Sequence, residues 1–324
     1  MRTCACLFCS ALALVLLAGC QTDDYAHRIL EINTGQGKVA EDLAGTAEQL
    51  LQSRKIDAHR RVLAPDKTEI DVYVIKAKDS AGQRQTGTAT ATMLLLHGLR
   101  ESKASHPYPD AADLLARKGY DVVLIDLRVH GRSGGKYVTY GALERHDVKA
   151  VMDALLKEGL VSDKIYVFGT TLGGSVAIQY AAIDPRCRGV MAMTPFNDLP
   201  FAARWDRPLL TMSDADWDKV LRRAAEIGGF RLEDTSSAEA TRKVHVPLVI
   251  VHGLIDLVVP FDNSQAIYDA ANEPKKLLVV TPGPERLGLV LFLQYWIVDR
   301  MDMLAKGKFQ QVTTEPASRP SARP

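Results

Sequence analysis

Short apolar runs alternate with stretches of helical spacing along most of this chain, and that alternation restricts the fold more than any other feature. "YPDAADLLARKG" precedes "YDVVLIDL", "ALERHDVKAVMDALLKEG" precedes "KIYVFG", and "SVAIQYAAI" precedes "GVMAM". "PLVIVHG" is followed by a helical segment from Phe261 to Ala271 and then by "KLLVV". Two strand-like runs, "EIDVYVIKA" and "TATATMLLLHG", come before the series, and a last helix lies around "LVLFLQYWIVDRM". Strands that read as continuous apolar runs are buried on both faces, as in a parallel sheet covered by helices. Their alternation with helices predicts a doubly wound α/β domain. A chain of 324 residues has room for one such domain with an insertion, or for two smaller ones, and needs no disulfide staples.

Residues 195–245 interrupt the alternation. Ser213 and Asp216 make a capping-box-like start, and Trp217, Val220, Leu221 and Ala224 then line one helical face. The segment reads as a short inserted lid or as a plain connecting helix. The net charge of +1 gives no long-range pull on nucleic acid, and no dense basic stripe with interleaved aromatics occurs. No His-Glu-x-x-His motif or Walker loop is present, so neither a metal nor another cofactor is expected.

The stretch "VFGTTLGGSVA", Val167 to Ala177, is a strand, a Gly-flanked tight turn and a helix. That is the setting of a G-x-S-x-G nucleophile elbow, but the central position holds Thr171. Three other segments keep order with it: "LLLHGLR" ends a strand, "DLRVHGRSGG" follows the next, and "HGLIDLVVP" follows a late one. Together the four resemble the α/β-hydrolase superfamily, especially lid-bearing members such as serine aminopeptidases, esterases and monoacylglycerol lipases, over roughly residues 65 to 305. The resemblance implies an α/β-hydrolase fold over residues 61–308, with a mostly parallel central sheet covered by helices on both faces.

It also assigns roles. Leu99 and Leu172 would supply the backbone N–H groups of an oxyanion hole. Asp256, in "HGLIDLVVP", matches the acid that orients the catalytic histidine. Thr171 stands at the nucleophile position; it keeps a hydroxyl, but its β-branch is ill suited to the positive φ such a turn demands. The base is missing. The segment expected to carry it reads "VVTPGPERLGL", with Arg286 at the aligned position, and the last of the eight histidines is His252. Arginine stays protonated and has no acceptor nitrogen. A bidentate Arg286–Asp256 ion pair would fit the chemistry of the two groups and close the old histidine site. "HGRSGG" contains a literal G-x-S-x-G around Ser133, but no helix starts directly after it, so it is read as a decoy. Ser175 is expected to face packing. His97 and His130 are read as structural, with His97 as an unusual base for Thr171 the less favoured alternative.

The first twenty residues, "MRTCACLFCSALALVLLAGC", have one early positive charge and an apolar run too short for a comfortable membrane span. Residues 1–19 read as a signal peptide, and Leu17-Ala18-Gly19-Cys20 resembles the lipobox of bacterial lipoproteins. That resemblance implies acylation of Cys20 and, with Gln21 following, an outer-membrane anchor facing the periplasm. Cleavage and acylation would leave Cys187 as the one free thiol, expected to be a small buried residue. Residues 20–60 read as a polar tether to about residue 40 followed by a helix over "VAEDLAGTAEQLLQ", and residues 309–324 as a disordered tail. Three readings of function follow: a lipoprotein that binds a small acyl or peptide ligand, or a partner, in a decayed site, a weak ester or peptide hydrolase using Thr171, and a scaffold with a filled pocket.

Overall fold

The computed structural model describes residues 21–31, 49, 56–79, 81–85, 89–204, 207–208, 212–280 and 293–312. Eight strands form one sheet in the order β1-β2-β4-β3-β5-β6-β7-β8. They are β1 (Ala58–Leu63), β2 (Glu69–Ile75), β3 (Thr92–Leu96), β4 (Asp121–Ile125), β5 (Ile165–Thr170), β6 (Cys187–Met193), β7 (Leu248–Gly253) and β8 (Lys275–Val280). β2 runs antiparallel to both β1 and β4, and every pairing from β4 to β8 is parallel.

Helices cover both faces: α1 (residues 21–30), α2 (Tyr108–Arg117), α3 (Glu144–Lys157), α4 (Leu172–Ala181), the one-turn α5 (Leu199–Ala202), α6 (Asp214–Gly228), the short α7 (Ser237–Thr241), α8 (Asp262–Ala270) and α9 (Leu293–Ala305). One apolar cluster lies between the sheet and α3, α4 and α6, and a second lies between the sheet and α2 and α9. β3 and β4 are buried at every position, which is why they read as unbroken apolar runs.

Residues 195–245 do form a helical insertion between β6 and β7, carrying α5, α6, the 3₁₀ turn Leu232–Thr235 and α7. The Oγ of Ser213 caps α6 by accepting from the N–H of Asp216, and Trp217, Val220, Leu221 and Ala224 are the buried face.

Three expectations are corrected. Residues 21–30, read as tether, are a helix docked on the domain: Ala26, Ile29 and Leu30 are buried in the main core cluster. The Tyr140 hydroxyl donates to the Ile29 carbonyl at 2.8 Å, the Val138 N–H donates to the Leu30 carbonyl at 3.0 Å, and Arg223 of α6 donates to Asp23 at 2.6 Å. The sheet begins at Ala58, ahead of the expected boundary at residue 61, because "AHRRVL" forms an edge strand. At the other end, Phe309 and Val312, placed in the disordered tail, are buried against the second cluster. The helix expected over "VAEDLAGTAEQLLQ" lies almost entirely outside the described residues, as do residues 1–20 and 313–324. Among the described residues no helix is long and apolar enough to cross a membrane.

Candidate active site

The loops at the carboxyl ends of β3, β4, β5 and β7 carry the residues singled out from sequence. Thr171 sits between β5 and α4 with φ 45° and ψ −111°. A β-branched residue at positive φ is strained by about 1–3 kcal/mol, so the turn is imposed by its surroundings. Those surroundings are glycines. A Cβ on Gly169 would overlap the Gly173 backbone, and one on Gly173 would overlap the Leu96 and His97 carbonyls. The helix therefore starts pressed against β3 and β5. Its N–H donates to the Met193 carbonyl at 2.8 Å.

The Leu99 N–H donates to Thr171 Oγ1 at 3.2 Å, so one of the two expected oxyanion donors is turned onto the hydroxyl itself. Leu172 is the first residue of α4. Its N–H is one of the first-turn donors that an α-helix leaves without an intrahelical partner. The Leu99 N–H and the Thr171 hydroxyl are thus brought together, and Leu172 adjoins Thr171 in the chain.

Beside them is a network that the sequence did not reveal. Glu101 Oε2 accepts from the Gly98 N–H at 2.7 Å and from the Tyr108 hydroxyl at 3.0 Å. Tyr108 also meets Thr170 Oγ1 at 2.5 Å. Tyr108 is fully buried, and burial together with the neighbouring Glu101 charge pushes its phenol well above the usual range. The only trace in the sequence is a glutamate three residues after Gly98, which no motif marks.

The loop bearing Leu99 is pinned from behind. The Lys103 N–H donates to Asp126 Oδ1 at 2.8 Å, and its buried ammonium pairs with Asp126 and, at 2.7 Å, with Asp71. Burial pushes Asp126 up. Burial also acts to raise Asp71, but Lys103 and His59 outweigh it and hold that carboxyl below its ordinary range.

The histidines near these loops are committed. His97 Nε2 accepts from the Leu127 N–H at 3.0 Å, which leaves Nδ1 to donate to the Gly98 carbonyl at 2.8 Å. His130 Nε2 accepts from the Arg100 N–H at 3.1 Å while Nδ1 donates to the Arg128 carbonyl at 2.9 Å. Those bonds require neutral rings, and burial lowers both pKa values, that of His97 well below normal. His252 Nε2 donates to the Val259 carbonyl at 2.7 Å, and Nδ1 faces Ser264 Oγ at 2.6 Å. None of the three has a ring nitrogen left for Thr171.

Asp256 is turned into its own loop. Oδ1 accepts from the N–H groups of Val258 and Val259, both at 2.8 Å, and Oδ2 lies 4.0 Å from His252 Nε2. Arg286 lies outside the described residues. Ser133 Oγ donates to the Asp126 carbonyl at 2.7 Å and accepts from the Asp71 N–H at 2.8 Å, so it serves as a loop clamp. Ser175 Oγ, buried, donates to the Phe196 carbonyl at 2.9 Å and accepts from the Phe196 N–H at 2.7 Å. Val129, where the resembling family has glycine, keeps φ 68°, with its N–H donating to the Gly134 carbonyl at 2.8 Å, and the neighbouring Arg128 makes a bidentate pair with Asp147 at 2.7 Å on each arm. Cys187 is buried, and burial pushes its thiol up to about 12.

Comparison with known proteins agrees with the fold. A family profile for the α/β hydrolase fold matches residues 91–248. The uncharacterized protein YqkD of Bacillus subtilis is 27% identical over 208 residues, which cover 59% of this chain and 64% of YqkD. The uncharacterized protein YfhR of Escherichia coli K12 is 23% identical over 237 residues, covering 69% of this chain and 76% of that one. Among solved structures, the Pyrococcus furiosus esterase Pf2001 superposes with a TM-score of 0.60 at 23% identity, over 80% of this chain and 94% of the esterase. The 2,6-dihydroxy-pseudo-oxynicotine hydrolase superposes with a TM-score of 0.61 at 19% identity, over 87% of this chain and 77% of that one. The chain has the α/β-hydrolase fold.

Proposed function

We propose that this chain is an envelope lipoprotein, anchored through Cys20, whose α/β-hydrolase domain binds a small acyl or peptide ligand instead of turning it over. One observation carries the reading: among the described residues no histidine bonds the Thr171 hydroxyl, whose partner is the Leu99 N–H. His97, His130 and His252 have both ring nitrogens engaged, and no histidine follows position 252 in the sequence. In a serine protease the loss of a triad serine or histidine lowers turnover by about 10⁶, leaving roughly 10³–10⁴ over water. Both positions differ here. The Arg286–Asp256 pair belongs to the same proposal as the group that fills the vacated base position.

The competing reading, a weak ester or peptide hydrolase, is favoured by the retained elbow, in which the Thr171 hydroxyl still faces the Leu99 N–H. It draws further support from the structural neighbours named as an esterase and a hydrolase. A panel of acyl esters and aminoacyl amides separates the two when run on wild type, Thr171→Ala, and Thr171→Ser combined with Arg286→His. Ligand binding without turnover in wild type, and turnover gained only by the double variant, is the expected result. Wild-type turnover abolished by Thr171→Ala would overturn the binding reading.

A further inference from the structure

Two features left unused by the site lie on the same side of the sheet. The first is the root of the N-terminal segment. Twenty residues precede α1, and α1 is fixed to the fold at the carboxyl-end edge: its last turn bonds to Val138 and Tyr140, in the loop that leaves β4, and Asp23 bonds to Arg223 on α6. Position 20 is three residues from Asp23, so the chain can carry Cys20 no farther than about 11 Å from Asp23.

The second is the loop that leaves the carboxyl end of β7. Leu254, Ile255, Leu257 and Val258 expose 51%, 54%, 83% and 70% of their surfaces, four large apolar side chains in five consecutive positions. The one charge among them, Asp256, has its side chain only 21% exposed and is turned back onto the Val258 and Val259 N–H groups. A loop tip with its charge tucked in and its apolar groups turned out is suited to a lipid interface. β4 and β7 are four strands apart in the sheet order, so their carboxyl ends are about 19 Å apart along one edge of the sheet.

We infer that the chain docks on a lipid bilayer by the carboxyl-end edge of its sheet, with the 254–258 loop seated in the interface, so that the Thr171 site takes its ligand from the membrane. The inference rests on the proposed Cys20 anchor. It adds that the domain does not swing freely on that anchor, because the first helix after the cysteine is part of the core. The ligand class that follows is an amphiphile with an acyl chain, already concentrated in the bilayer, in preference to a soluble peptide.

The test uses the full acylated chain reconstituted into phosphatidylethanolamine/phosphatidylglycerol vesicles, with an environment-sensitive fluorophore on Leu257→Cys or on Asp163→Cys. Asp163 precedes β5 and so marks the opposite edge. Cys187, buried and with its thiol pushed up to about 12, stays unlabelled. The expected result is a blue-shifted emission at position 257 on adding vesicles, quenched several-fold by doxyl-labelled phospholipid, and no change at 163. Detergent-phase partition of wild type against Cys20→Ala is measured alongside. A wild-type chain that stays in the aqueous phase removes the anchor and the inference with it. An anchored chain whose 257 probe stays in water overturns the orientation alone. A 257 probe already in an apolar setting before vesicles are added also overturns it, since the loop is then covered by its own chain or by a second copy.

Discussion

Thr171 carries the strain of the site and does nothing to relieve it. Its φ of 45° belongs to the turn, and the β-branch meets that geometry at a loss. Thr171→Ser removes the methyl and is expected to raise stability by about 1 kcal/mol in urea unfolding; an unchanged midpoint would mean that the methyl is well accommodated. Asp184 offers a sharper residue-scale measurement. Its buried carboxylate accepts from Arg186 Nε at 2.8 Å, from the Arg186 N–H at 3.0 Å and from the Tyr180 hydroxyl at 2.8 Å. Burial acts to raise it, but Arg186 and Tyr180 outweigh burial and hold the carboxyl below its usual range. A carboxyl lower in the folded than in the unfolded state stabilises above the unfolded value of about 3.9 and loses that contribution as pH falls through the folded value. Asp184→Asn is therefore expected to cost about 1–3 kcal/mol at pH 7 and progressively less below pH 4. A wild-type-to-variant gap in denaturant midpoint that stays constant down to pH 3 would count against this assignment.

At the scale of elements, α1 and the elbow make opposite points about what a sequence shows. The strands from β3 to β8 were legible because burial on both faces leaves only apolar residues, and the elbow was legible because its glycines are sterically required. β1 was not, because an edge strand alternates: "AHRRVL" buries every second residue only in part and exposes the rest. Nor was α1. Ten residues carrying Ala26, Ile29 and Leu30 among charged neighbours make too short an apolar face to stand out from a tether, and the helix is held by what it packs on. Ile29→Ala is expected to cost about 2–4 kcal/mol in equilibrium unfolding if α1 belongs to the cooperative core. A tether would give no change. Gly173→Ala should abolish folding or shift the elbow, because its Cβ would meet the Leu96 and His97 carbonyls, which cannot swing away as a side chain does. Circular dichroism and recovery of soluble protein read that outcome.

For the whole molecule, the proposal makes the fold a ligand platform held at a membrane by the Cys20 anchor, which the first helix ties to the core. The corresponding prediction is a partition experiment on fractionated cells: wild type in the membrane fraction, Cys20→Ala in the soluble periplasmic fraction, with equal thermal unfolding midpoints for both. Equal partition would remove the anchor from the account, whereas a lowered midpoint would show that Cys20 also supports the fold.

What the sequence determined by itself was the order of strands and helices from β2 onward, the position of the elbow, the helical insertion between β6 and β7 and the absence of any histidine after His252, all of which follow from local spacing and residue identity. Tertiary structure alone decided how the polar groups were spent. That Leu99 bonds Thr171, that His97, His130 and His252 hold backbone and a neighbouring serine instead of a reaction, that Glu101 reaches Gly98 and Tyr108, and that residues 21–30 belong to the core are all outcomes of long-range proximity. Buried donors and acceptors must each find a partner, and which partner they find depends on what the fold brings within about 3 Å, not on what stands next in the chain.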